Sequence, residues 1–409
     1  MSARILIITN SPLCRNPRVV KEATTLGQAG YDVTVLGIRN HRPSVEIDRE
    51  LVAASPFKHQ YVNMLGHDAP VIERVSVSWR RLCHRAAREA TCRLGWQLPG
   101  ALGPARALLR AARAQAADLT ITHNELPHWV AVRLLAEGRR VAADIEDWHS
   151  EDLLPHERSY RPLGLLRTDE AALLKTATYT TTTSHALSDA LHARYGGRKP
   201  AVVTNSFPLS EADLARPSGD APSFFWFSQT TGPGRGLELF LSAWARTTRP
   251  SHVSLLGEVH PEYAQKLLTR LPPSFRERVR FLPLVPPAEL PRVIAGHDIG
   301  LALEQSFIVN RDLTITNKIL QYLNAGLAVV ASSTAGQREV LGHAPDAGLL
   351  VDLHETTRLA SQLDNLLSDP TALSRSRRAA RRLAESRYCW ERESPRLLNL
   401  VATALGPNR

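Results

Sequence analysis

The stretch Asn317–Ser333, NKILQYLNAGLAVVASS, decides how the rest of the chain is read. Ile319, Leu320 and Leu323 fall at helical spacing. Gly326 stands where a left-handed C-cap belongs, and Leu327–Ala331 is an unbroken apolar run of strand length. A helix thus feeds directly into a strand buried on both faces. Its first turn carries Lys318, although the helix dipole favours anions there. Something negative is expected close by.

Outward from this stretch the same rhythm of strand and helix runs through the chain. The first half offers strands at 5–9, 33–38, 119–122, 141–145, 179–183 and 202–204. The second offers 224–228, 253–257, 280–282, 299–303, 328–331 and 349–351. Strands alternating with helices imply parallel sheets covered on both faces, and two such sets imply two doubly wound domains. The expected division is an N-terminal domain over 1–208, a Pro/Ser/Gly/Asp-rich linker over 209–222 and a C-terminal domain over 223–385. A terminal helix over 386–409 is expected to pack back toward the first domain.

Composition excludes several classes. The chain has 409 residues, too many for one ordinary core, and an ordinary apolar content. No apolar run approaches the ~18 residues of a membrane span, and the start lacks a signal-peptide layout. Cys14, Cys83, Cys92 and Cys389 are scattered, which favours reduced thiols in a cytoplasmic protein over a zinc site. The net charge of +10 is uneven: nine arginines and one acid, Glu89, lie between Arg74 and Arg113, and Arg375–Arg382 reads RSRRAARR. Such clusters suit phosphates, anionic lipid or nucleic acid, or are simply solvated. No nucleic-acid module is present, so no nucleic-acid partner is expected.

In open α/β sheets ligands sit beyond the carboxyl ends of the strands. After the first strand, Arg15, Asn16 and Arg18 precede an amphipathic helix, either to bind an anion or to cap it; no dinucleotide fingerprint or P-loop occurs there. THNELPHW and DIEDWHSEDLLP then concentrate His123, Asn124, Glu125, Asp144, Glu146, Asp147 and Trp148. Capping by Asn124, Asp147 or Ser150 explains only one or two of these, no metal-site spacing appears, and a polar sugar-binding wall fits the mixture. In the second half a glycine turn around Gly234 and Arg235 joins a strand to a helix, where backbone approaches phosphate closely. Gly257, Glu258 and Glu304 end further strands of that domain.

This combined order resembles the group 1, or family 4, retaining glycosyltransferases of the GT-B fold, over nearly the whole chain. The resemblance rests on NPRVVKEATTLGQAGYDVTVL, TTSHALSDAL with PAVVTNSFP, GPGRGLELFL and the opening stretch. It implies two Rossmann-like domains facing a central cleft and a bacterial, metal-independent enzyme of polysaccharide or glycoconjugate synthesis. Such an enzyme moves a sugar from a nucleoside diphosphate donor to a saccharide, lipid-linked or other acceptor, with no cofactor beyond that donor. The donor site would comprise Gln229, Gly234, Arg235, Gly257, Glu258, Glu304, Thr316, Asn317, Lys318 and Gln321, with the diphosphate compensating Lys318. The acceptor side would comprise Arg15, Asn16, Arg18, His123, Asn124, Glu125, Asp144, Glu146, Asp147 and Trp148. Arg235, Lys318, Glu146 and His123 would carry catalysis. The chain departs from the family where Gln321 and Leu313 replace a glutamate pair, Gln229 a basic residue and Glu146 a histidine. The alternatives are a non-catalytic partner subunit of the same fold and a nucleotide-sugar epimerase.

One segment stands apart. Trp79, Leu82, Cys83, Ala86, Ala87 and Ala90 share one helical face, and Arg80, Arg81, His84, Arg85 and Arg88 lie on the other side, with Trp96, Leu98 and Leu102 beyond. This is either an interfacial helix on anionic lipid at the inner membrane face or a packed helix whose alanines meet the N-terminal sheet.

Overall fold

The apolar runs assemble into two parallel sheets. The computed structural model describes residues 2–66, 70–210 and 221–406. It divides into two units, one of residues 1–203 with 394–409 and the other of 204–393.

In the first unit β1 (Arg4–Ile8), β2 (Asp32–Arg39), β3 (Lys58–Asn63), β4 (Leu119–His123), β5 (Val141–Asp144), β6 (Thr180–Thr182) and β7 (Ala201–Val202) form a seven-stranded sheet in the order β3-β2-β1-β4-β5-β6-β7. Every pairing is parallel. Ile5 to Ile8 are all buried, as expected of a strand covered on both faces. Strand β3 was not expected. Its sequence KHQYVN is mostly polar because it is an edge strand with only its last two residues buried.

In the second unit β8 (Ser223–Thr231), β9 (His252–Val259), β10 (Val279–Leu282), β11 (Ile299–Ala302), β12 (Ala328–Ser332) and β13 (Gly348–Val351) pair in the order β10-β9-β8-β11-β12-β13, again all parallel. The opening stretch folds as its pattern requires. Its helix spans Asn317–Asn324 with Thr316 Oγ1 accepting from the Ile319 amide at 3.4 Å, and Gly326 follows at φ 66° before β12. Tyr322 lies wholly buried against β11, its hydroxyl donating to the Leu301 carbonyl at 3.2 Å. Gly300 makes this contact fit: a Cβ there would stand 2.2 Å from the tyrosine ring.

Residues 204–208 group with the second unit and not, as expected, with the first. Phe207 bridges to Cys389, and the Thr204 amide donates to Glu393 at 3.2 Å. The helix Trp390–Leu405 runs across the boundary, its residues from Ser394 onward belonging to the first unit. Of the expected linker 209–222, residues 211–220 lie outside the described residues, as do 407–409 of the terminal segment.

Both strand orders reverse direction once, between β1 and β4 and between β8 and β11. In open sheets ligands sit beyond the carboxyl ends of the strands at such switch points, and Arg235, Lys318 and Glu304 of the second unit and His123 and Asn124 of the first lie at those ends.

Candidate functional site

At the switch point of the second unit, the turn after β8 brings Arg235 to the end of β11. Gly236 closes the turn at φ 77°, and a Cβ on it would meet the Leu303 carbonyl oxygen at 2.5 Å. Only glycine allows both the left-handed backbone and the close approach. Glu304, just beyond β11, receives Lys318 Nζ at 2.8 Å and faces Arg235 Nη1 at 4.0 Å. The Lys318 ammonium also stands 5.6 Å from the centre of the Trp226 ring. Burial pushes the Glu304 carboxyl up, but Lys318, Arg235 and Arg311 outweigh it and hold the carboxyl below its usual range. The negative partner that Lys318 demands is therefore within the protein, whereas the sequence reading placed it on a ligand. Two cations share one buried carboxylate, so the cluster retains attraction for an anion.

The other expected donor residues fall around this cluster unevenly. Gly234 precedes Arg235 in the turn at φ 75°. Asn317 is exposed at the start of the helix, its Oδ1 accepting from Asn205 Nδ2 at 3.0 Å. Gln321 is half-buried one turn after Lys318. Gln229 lies within β8, not after it, because the strand continues through a register irregularity between Phe227 and Thr230. Gly257 and Glu258 likewise lie inside β9, and both Gln229 and Glu258 are exposed.

Sequence reasoning missed the turn after β12. Ser332 Oγ donates to the Glu304 carbonyl, and Gln337 Nε2 holds the Ser332 carbonyl at 2.8 Å and Thr334 Oγ1 at 3.2 Å. Glu304, Ser332–Thr334 and Asp352–His354 line a cavity of about 540 Å³ at the carboxyl ends of β11, β12 and β13. The run SSTAG directly after a buried strand was the available signal.

The first unit gathers a denser polar cluster at its own switch point. Asn16 caps the helix Pro17–Gln28, its Oδ1 accepting from the Val19 amide at 3.2 Å. Arg18 is buried and is held by both oxygens of Asp144 and by the Val203 carbonyl at 2.7 Å. His123 is fully buried between Glu22, 2.6 Å from Nε2, and Asp144, 3.2 Å from Nδ1. Burial opposes its charge, but the two carboxylates push the imidazole up to about 10. Asp144 is held well below the carboxylate range, since Arg18 and His123 overcome its burial. His128 is driven the other way, down to about 3, by burial and by His149 and His123.

Arg18 and Asp144 therefore satisfy each other, with Thr181 Oγ1 donating to Asp144 at 2.7 Å, while His123 hydrogen-bonds Glu22 and meets Asp144 as a neighbouring charge. Arg18, His123 and Asp144, expected to meet substrate, support the site from inside; the reason is that buried charges must be paired. Glu22, His123 and Asp144 also bring potential metal-binding atoms within 4.8 Å of one another. A guanidinium already occupies both Asp144 oxygens, and the imidazole is held as a cation, so the donor set fits an ion-pair network and not a metal.

Above this network lie Asn124 and Glu146. Asn124 holds φ 70°, ψ 170°, a costly conformation outside glycine, and its side chain does not cap the helix Glu125–Ala136 that follows. It accepts from Thr9 Oγ1 at 2.9 Å and donates to Glu146 Oε1 at 3.2 Å. Burial, reinforced by Asp144 and Asp147 against His123 and Arg18, pushes the half-buried Glu146 carboxyl up to about 7. Asp147, next along the chain, is half-buried too. Glu125 turns to Arg161 at 3.2 Å, and Trp148 Nε1 donates to the Tyr195 hydroxyl at 3.3 Å. Arg15 is exposed beside His41, 3.2 Å away. The second basic cluster is partly structural: Arg377 holds Asp298 and the Gly326 carbonyl, and Arg381 the Asn324 carbonyl.

Residues 221–369 match the family model "Glycosyl transferases group 1". The chain is similar to Spore coat protein SA of Bacillus subtilis (strain 168), 24% identical over 125 residues, which are 31% of this chain and 32% of that protein. The chain thus spans about a third of the length of this curated relative. Among solved structures it is similar to Anabaena Alr3699/HepE in complex with UDP and glucose, with a TM-score of 0.69, 17% identity and coverage of 98% of this chain and 100% of that one. It is also similar to WaaG, a glycosyltransferase involved in lipopolysaccharide biosynthesis, with a TM-score of 0.63, 12% identity and coverage of 97% and 100%. The chain has the GT-B fold, and the stretch that matches the group 1 glycosyltransferase model lies within its second unit.

Proposed function

We propose that this protein transfers a sugar from a nucleoside diphosphate sugar to an acceptor, with retention of anomeric configuration and without a divalent metal or other cofactor. The observation that carries the reading is the pairing of Lys318 and Arg235 around Glu304 at the switch point of the group 1 domain. A diphosphate leaving group gains negative charge as its bond to the sugar breaks. Cations fixed in advance by a buried carboxylate stabilise that charge without reorganising. Glu304 holds the Lys318 ammonium in place before the donor arrives, and the Gly236 turn does the same for Arg235. Cationic side chains then do the work a metal does elsewhere.

The first unit supplies the acceptor side in this reading. Glu146, with its carboxyl near neutrality and oriented by Asn124, accepts a hydrogen bond or proton from an acceptor hydroxyl. The buried Arg18–Asp144–His123–Glu22 network fixes the floor beneath it. A polysaccharide or other glycoconjugate is the acceptor class, and a cytoplasmic location suits the nucleotide sugar.

The test is a calorimetric panel of UDP, GDP, ADP, dTDP and CMP, followed by transfer assays with the sugar donor of the base that binds. Arg235→Ala and Lys318→Ala should each weaken nucleotide binding about tenfold or more, the loss of one charge-assisted contact. Unchanged affinity in both removes the assignment. A non-catalytic partner subunit that keeps only the fold is favoured by Gln321, a weaker acceptor than a carboxylate. Failure to bind any nucleotide of the panel would select it. Turnover of the sugar nucleotide without any acceptor would instead select an epimerase.

A further inference from the structure

The helix Val71–Leu94 presents an apolar ridge to solvent. Val71, Val75 and Leu82 lie at i, i+4 and i+11, and Ile72, Trp79 and Ala86 at i, i+7 and i+14, so the two rows run side by side along one face. Ile72 is 86% exposed and Trp79 65%, and Val71, Val75 and Leu82 are each more than half exposed. Leu94 and Trp96 continue the apolar exposure past the helix end at Gly95. The buried residues of this helix, Val77 and Thr91, fall on the opposite side at 100° per residue. The packed-helix alternative fails for Trp79 and Leu82, which meet solvent and not the sheet.

The flank of the ridge is basic. Arg74, Arg81, Arg85 and Arg88 follow one another at i, i+7, i+11 and i+14. Arg81 is anchored by the Met64 and Leu65 carbonyls at 2.7 and 2.8 Å, and Arg88 stands 5.1 Å from the centre of the Tyr160 ring; among the described residues no carboxylate forms an ion pair with either. Glu89 is taken by Arg93, and Glu73 accepts from Asn63 at 2.9 Å. Among the described residues no helix is long and apolar enough to cross a membrane. This one carries a full face of charge, so it suits lying in an interface.

We propose that the ridge and its arginine flank dock the protein on an anionic lipid bilayer, with the helix axis in the plane of the surface. Charge complementarity selects this occupant. A second copy of the chain would oppose arginines to arginines, whereas anionic headgroups neutralise the flank while the acyl boundary takes up Ile72, Trp79 and Leu82. Exposed tryptophans beside arginines match the chemistry of the headgroup layer. The inference stands apart from the transferase reading, because it uses no residue of either switch point.

The experiment is flotation of the full chain with vesicles of phosphatidylcholine alone or mixed with phosphatidylglycerol, with nucleotide binding measured on the same preparations. The protein should float with the anionic vesicles at low salt, remain soluble with neutral ones, and detach as salt rises. Arg85→Gln with Arg88→Gln should cut the bound fraction roughly tenfold. Ile72→Ser with Trp79→Ser and Leu82→Ser should abolish flotation while nucleotide affinity and the circular dichroism spectrum stay unchanged. A wild type that stays soluble with anionic vesicles at low salt overturns the proposal. So does a serine variant that floats like the wild type, or a concentration-dependent dimer that the serine variant abolishes while vesicle binding persists. Loss of nucleotide binding alone leaves the docking intact and counts against the transferase reading only.

Discussion

Lys318→Ala strips a buried carboxylate of its nearest cation. The Lys318 and Glu304 side chains are 12% and 7% exposed and 2.8 Å apart. Two unit charges at that distance attract by about 6 kcal/mol in an effective dielectric of about 20. The truncation also recovers the cost of desolvating the ammonium, and Arg235 at 4.0 Å keeps part of the attraction. The expected net loss is about 3 kcal/mol, at the lower end for breaking a buried pair. The loss should depend on pH in a definite direction. Glu304 has a folded pKa below its ordinary 4.5, so its stabilisation is present above that value and is lost as pH falls through the lower folded one. The deficit of the variant should therefore be full at neutral pH and should close in acid, where a protonated Glu304 needs no partner. Urea denaturation at a series of pH values measures it, and Glu304→Gln in the Lys318→Ala background should restore much of the loss at neutral pH. A deficit that does not change with pH, or is under about 1 kcal/mol at neutral pH, would refute the view that Glu304 is the charge to which Lys318 answers.

Gly300→Ala forces a Cβ to within 2.2 Å of the Tyr322 ring and should cost at least about 1–3 kcal/mol, with partial recovery when Tyr322→Leu is added; thermal melts read both. Arg18→Lys should cost about 3 kcal/mol or more in urea denaturation, because one ammonium cannot reproduce a fork that grips Asp144 twice and the Val203 carbonyl once. Glu146 has a folded pKa raised from 4.5 to about 7, so the folded chain holds a proton that the unfolded chain has lost, and stability from this group falls as pH rises through that window. Glu146→Gln should remove that fall and stabilise the protein by on the order of 1 kcal/mol at pH above about 7, with no gain in acid, while it lowers transfer more than nucleotide binding.

Much of this architecture is legible in the chain because burial on two faces writes itself into composition. Runs such as ILII and LAVVA can only be central parallel strands, and the segments around them fold within a residue or two of their pattern. The helix Asn317–Asn324, its threonine cap and its closing glycine are local devices, fixed by neighbours three or four residues apart. Edge strand β3 escapes the same reading because an edge has little to bury. The site is a different matter. Lys318 and the turn of Arg235 are visible in the sequence, but that they share Glu304 depends on which strand lies beside β8 in the sheet. His123 and Glu22 are 101 positions apart, and nothing local tells a histidine at a strand end that it will be buried between two carboxylates. The arginine-flanked helix shows the same limit: periodicity defines its faces, and only the packing of the first unit decides which of them is left to solvent. Local periodicity is set by backbone geometry within a few residues, whereas charge pairing and exposure are set by neighbours that only the completed sheets bring together.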